Sequence, residues 1–215
     1  VTDGLTALEA WTRRDDAPVE EALVAVAIGE DPRCTPEIVD EDLGALARLT
    51  RAPPDFSPGR ALGHLNRVLY DRLGMVGSVE PDPALCLVHH ALGTRRAGPD
   101  LLLLLYAAVA ARIGVGLDPI GFGAHPVLRP RGSSPIFVDP FHRGRLLDAD
   151  QLWGIQRTLA PEVPVTEGQW RSMLEPAPMR VAVARLVRTL GEAHAALGDV
   201  EGARRARDRL EVLAC

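Results

Sequence analysis

The stretch from Pro99 to Arg112 constrains this chain more than any other. It reads Pro-Asp-Leu-Leu-Leu-Leu-Leu-Tyr-Ala-Ala-Val-Ala-Ala-Arg and lies between Gly98 and Ile113-Gly114. Proline suits the first helical position, where its missing N–H has no intrahelical acceptor to lose. Asp100 adds a carboxylate to the first turn, which the helix dipole favours. Gly114 supplies a left-handed stop. The predicted helix is apolar on nearly every side, so it belongs at the centre of a core. It is too short to cross a bilayer, which takes about 20 apolar residues. The first turn of such a helix, where it meets a cleft, is a place for chemistry.

The rest of the chain is arranged around that helix. Apolar residues make up 47% of the 215, enough for one good core. The net charge of −5 leaves no electrostatic footprint for nucleic acid. All 24 basic residues are arginine, interleaved with acids. Cys34, Cys86 and Cys215 are odd in number and far apart. They read as free thiols of a reducing compartment rather than a disulfide framework. No basic start or apolar run opens the chain, so a cytoplasmic bacterial protein, with no membrane partner, is expected.

Hydrophobic spacing predicts an N-terminal helical segment over residues 1–52. Its helices carry Leu5, Leu8 and Trp11, then Leu23, Val24 and Ala27 after an Asp15-Asp16-Ala17-Pro18 start, then Val39, Leu43 and Leu46 after Thr35-Pro36-Glu37. The stretch 51–59, rich in proline and glycine, separates it from a body over 58–160. Helices are expected from Leu62 to Leu73 and from about Ala84 to Leu92. After the central helix, Leu117–Phe122, Pro126–Arg129 and Pro135–Asp139 are extended in character and read as an antiparallel sheet packed on that helix, with turn residues such as Pro130-Arg-Gly-Ser-Ser134 between them. Asp148 caps a helix through Leu152 and Trp153. Residues 178–215 read as a helix hairpin broken at Gly198-Asp199, like a single tetratricopeptide unit packed on the body.

Several of these residues resemble a known family. Leu65-Asn66-Arg67-Val68-Leu69-Tyr70 with Gly74, Asp82-Pro83, Arg95-Arg96, Pro99, Tyr106 and Ala110–Gly114 are similar to the SirB-type branch of the transglutaminase-like superfamily. So are Gly121-Phe122-Gly123-Ala124-His125, Phe137-Val138-Asp139-Pro140-Phe141 and Gly144-Arg145-Leu146-Leu147. The resemblance implies an α+β fold: a papain/transglutaminase-like core, in which a buried helix meets a small antiparallel sheet, with helical segments at both ends. It also implies a cysteine at the N-terminus of the central helix, a histidine that activates it and an aspartate that orients the histidine. His125 and Asp139 fall on the last two positions.

The nucleophile position falls on or beside Pro99, which has none. The branch's serine two residues later is Leu101, its glycine after the paired arginines is Ala97, and its Asn-Ser before the helix is Leu85-Cys86. The resemblance therefore implies a non-catalytic protein that binds a protein or peptide partner, without a cofactor. An alternative is a hydrolase or acyl-transfer enzyme with Cys86 as a displaced thiol. A further one is a metal-assisted hydrolase using His89, His90, His125, Asp139 and His142, although their spacing matches no recognised zinc pattern and adjacent helical histidines diverge by about 100°. Asp100 reads as a first-turn acid, or as a partner for His125. Arg129, Arg131, Arg143 and Arg145 read as a solvated face, or as the rim of an anion pocket.

Overall fold

The computed structural model describes residues 3–50, 57–120, 125–132, 135–162 and 164–214. Helices α1 (Gly4–Thr12), α2 (Val19–Ile28) and α3 (Pro36–Thr50) come first. Helix α2 starts at Val19 without a side-chain cap, so Asp15 and Asp16 do not cap it as their spacing suggests. Most of the turn-prone 51–59 stretch, residues 51–56, lies outside the described residues, as do Gly121–Ala124 of the quoted motif, Ser133, Ser134 and Cys215.

The helix expected from Leu62 to Leu73 is in fact α4 (Pro58–Asn66) running into a wider π-helical turn, Arg67–Arg72. Such turns often mark functional sites. The helix expected over Ala84–Leu92 is broken. A 3₁₀ turn spans Pro83–Cys86, with Asp82 accepting from the Ala84 N–H, and Leu87 is extended before α5 (Val88–Thr94). Strands β1 (Val76–Gly77) and β2 (Arg96–Ala97) form a short parallel pair that sequence patterning does not disclose.

Helix α6 (Pro99–Arg112) is the central helix, buried from Asp100 to Ala110. Gly114 follows it with φ of 82°. Strands β3 (Leu117–Ile120), β4 (Val127–Pro130), β5 (Phe137–Asp139) and β6 (Arg145–Leu147) form an antiparallel sheet in chain order. Side chains alternate across it, as a strand requires. Leu117, Leu128 and Val138 join the main core with α6. Ile120, Val127, Phe137 and Leu147 form a second core under α7 (Ala149–Leu159) and α8 (Glu167–Met173). Helices α9 (Met179–Ala196) and α10 (Val200–Ala214) pack as a hairpin, turned at Gly198 with φ of 76°. The main core takes residues from Leu8 to Leu213, so both terminal segments share it with the body. This is the α+β architecture of a buried helix against a small sheet, flanked by helices. Among the described residues, no helix is long and apolar enough to cross a membrane.

Candidate functional site

Antiparallel pairing of β4 with β5 sets Leu128 opposite Val138. His125, just before β4, and Asp139, ending β5, are thereby brought together. His125 Nε2 lies 2.7 Å from Asp139 Oδ2, and both side chains are buried. His142 joins them: its Nδ1 also lies 2.7 Å from Oδ2, and its backbone N–H donates to Oδ1 at 3.1 Å. Burial alone would raise the Asp139 carboxyl, but the hydrogen bond and charge of His125, with the N–H of His142, bring it below its ordinary value. An ionised carboxylate only accepts, so each imidazole presents an N–H to it. In the neutral ring this leaves His125 Nδ1 as a proton acceptor, the state a general base needs.

The loop carrying this cluster is held by side chains of α4 and the π-helical turn. Tyr70 donates to the Pro140 carbonyl at 2.7 Å, and Asn66 donates to the Gly144 carbonyl at 2.6 Å. The Asn66 oxygen accepts from Tyr106 of α6 at 2.7 Å. Arg143, held in the left-handed region with φ of 60°, pairs with Asp71. Gly77 lets β1 approach the Phe141 ring, which a Cβ would meet at 2.4 Å. The π-helical turn thus aims Tyr70 and Asp71 at the loop. These pairs explain why the separate motifs Leu65–Tyr70, Tyr106 and Phe137–Leu147 occur in one chain.

Pro99 opens α6 and offers no nucleophile. A cavity of about 620 Å³ lies at that helix end, lined by Cys86, Gly98, Pro99, Asp100, Pro126, Arg185, Arg188, Thr189 and Glu192, among others. Its volume is that of a ligand pocket. Cys86 and Pro99 thus line the same cavity. Burial first, then the charges of Asp100 and Asp82, push its thiol up to about 12, which keeps it protonated. Among the described residues, no hydrogen bond joins Cys86 to His125, and neither His125 nor Asp139 lines the cavity.

Asp100 sits in the first turn of α6, as the first of its two readings has it, and does not hydrogen-bond His125, as the second would. Its oxygens accept from Arg185 Nε at 3.1 Å and Thr189 Oγ1 at 2.8 Å, which ties α6 to α9. His89 and His90 do not join His125 either. They gather with Asp31, their rings 5.1 Å apart, so adjacency on the helix does not keep both from one site. Of the four rim arginines, Arg131 is taken by Asp118 and Arg143 by Asp71. Sequence reasoning missed the α9 wall of the cavity. The signal was there: Arg185, Arg188, Thr189 and Glu192 fall at three- and four-residue steps opposite the apolar stripe.

Comparison with known proteins shows what the sequence is similar to. The profile of the transglutaminase-like superfamily matches residues 39–188, which include Pro99, His125, Asp139 and, from the α9 wall, Arg185 and Arg188. A UPF0162 protein of Xylella fastidiosa (strain 9a5c) is 31% identical over 150 residues, 68% of this chain and 53% of that protein. A UPF0162 protein of strain Temecula1 / ATCC 700964 matches to the same extent. F-box only protein 21 of Mus musculus is 36% identical over 99 residues, 41% of this chain but 16% of that protein. The chain thus spans about half the length of the Xylella relatives. No solved structure matches. With a buried helix, a sheet carrying the His–Asp pair and a profile match over most of its length, this chain belongs to the transglutaminase-like superfamily.

Proposed function

We propose that this chain is a non-catalytic member of the superfamily that binds a protein or peptide segment in the cavity at the start of α6. The observation that carries this reading is Pro99 at the helix terminus where the family resemblance implies a cysteine. The His125–Asp139 pair is intact, and Pro99 offers it no nucleophile. The nearby thiol, Cys86, is held neutral by burial and by Asp100. The cavity offers acids and arginines together, from Asp100, Arg185, Arg188 and Glu192, with apolar Leu85, Pro99 and Pro126 beside them. Such a mixture suits a polypeptide, which carries amides, charges and side chains at once. The motif likeness supports the SirB-type branch as part of this reading, together with a cytoplasmic bacterial setting.

The test pairs a binding assay with an activity assay. Peptide arrays probed with the full chain identify bound segments, and Arg188→Glu is expected to abolish that binding while the fold survives. Ester, thioester and peptide probes are expected to turn over no faster with the wild type than with His125→Ala. His125-dependent turnover would sink the reading.

One observation favours the displaced-thiol enzyme as a second reading: Cys86 and Pro99 line the same cavity. It requires rapid alkylation of Cys86 at neutral pH and loss of turnover in Cys86→Ser.

A further inference from the structure

We propose that His125, Asp139 and His142 form a binding site for a divalent transition-metal ion of the zinc class. This goes beyond the peptide-binding reading and does not depend on it. One ligand atom from each residue lies within 4.8 Å of the other two. The two imidazoles converge on one oxygen, Asp139 Oδ2, at 2.7 Å each. A tetrahedral ion with bonds near 2.1 Å holds its ligand atoms about 3.4 Å apart. Each imidazole–carboxylate distance therefore opens by about 0.7 Å to admit the ion between the ligands. His142 can move, because its side chain is 59% exposed.

The donor set selects the metal. Two imidazoles and one carboxylate suit zinc, cobalt or nickel, whereas magnesium and calcium prefer oxygen alone. Each neutral imidazole would shift the N–H it now turns to Asp139 onto its other ring nitrogen, so the nitrogen facing Asp139 offers a lone pair to the ion and the carboxylate remains charged. Among the described residues, no arginine pairs with Asp139, so no fixed cation competes for it. The Asp31–His89–His90 cluster differs on this point: Arg33 donates to both Asp31 oxygens. Tyr70 and Asn66 also hold the backbone of the loop that carries His142, through the Pro140 and Gly144 carbonyls. Three protein ligands leave a fourth position for water, reached past His142.

The experiment is titration of the chelator-treated full chain with zinc chloride by calorimetry, and with cobalt chloride by visible absorption. One ion per chain and the intense visible bands of four-coordinate cobalt are expected. His142→Ala, which removes an exposed side chain, is expected to weaken binding by more than the roughly 10–100-fold that loss of an outer-shell partner costs. Its melting temperature reports that the fold survives. His90→Ala is expected to bind like the wild type. Absence of stoichiometric binding would show that the three residues are a hydrogen-bonded structural cluster and overturn the proposal. Binding that His142→Ala leaves intact would overturn it as well.

Discussion

Asn66 and Gly144 meet across 78 positions of the chain, amide to carbonyl, at 2.6 Å. The contact leaves no room for a side chain at 144, where a Cβ would fall 1.8 Å from Asn66 Oδ1 and φ is +67°. Gly144→Ala is expected to destabilise the protein by about 2–4 kcal/mol, through overlap and backbone strain together. Asn66→Ala is expected to cost about 1–3 kcal/mol, for the Tyr106 hydroxyl and Gly144 carbonyl left unpaired. The double variant relieves the overlap, so urea unfolding of the four proteins should show a total smaller than the sum.

Glu30 predicts a pH dependence. Its carboxylate meets Arg205 at 2.7 Å and Arg209 at 2.5 Å, with His194 Nε2 3.2 Å away. Burial would raise the carboxyl, but the hydrogen bonds and charges of Arg205 and Arg209 hold it below its ordinary value. A lowered folded value means that Glu30 stabilises the fold above the unfolded value of about 4.3. That contribution is lost as pH falls through the lower folded value. Glu30→Gln is expected to cost about 3–5 kcal/mol at pH 7, because it strands buried Arg209. It should also flatten the fall in stability toward acid, read by urea unfolding at each pH.

Cys86 and Cys34 are expected to resist iodoacetamide in the folded protein at pH 7. Burial pushes the first thiol up to about 12 and the second to about 11, so the reactive thiolate is scarce. Both should alkylate readily in urea. Peptide mass spectrometry resolves the two sites, and fast native labelling of Cys86 would contradict the account of the cavity.

Asp100→Asn tests the tie between α6 and α9. It keeps the shape but removes the charge that faces Arg185. A charge-assisted bond of this kind is worth about 1.5–3 kcal/mol. The expected result is a loss of that order in unfolding free energy. If the proposed cavity holds a peptide, its affinity should fall as the α9 wall shifts.

The central helix was legible because nothing except burial suits a run such as Leu101–Leu105 followed by alanines. The strands were legible in kind but not at their ends, since a few alternating residues fix a face and not a boundary. β6 escaped notice: its Arg145 and Leu146 are exposed, so only Leu147 signals a core. The π-helical turn has the same residue types as an α-helix, and what sets it apart is a five-residue backbone bond, from the Leu73 N–H to the Val68 carbonyl, that no side-chain pattern announces. The His125–Asp139 pair came from motif likeness. The meeting of Asp100 with Arg185 and Thr189, or of Asp31 with His89, spans too many residues for any local pattern to show.

Helix α1 packs on α2 and also on α10, while α2 and α9 both reach α6. The helical shell is therefore closed around its centre, like a band whose two ends overlap. Peeling away α10 uncovers α1 and breaks the grip of Arg205 and Arg209 on Glu30 in the same event. Partial unfolding from either side gains little chain freedom before it forfeits shared apolar contacts. These helices are thus built to melt together, α10 with α1 and α2, rather than one at a time.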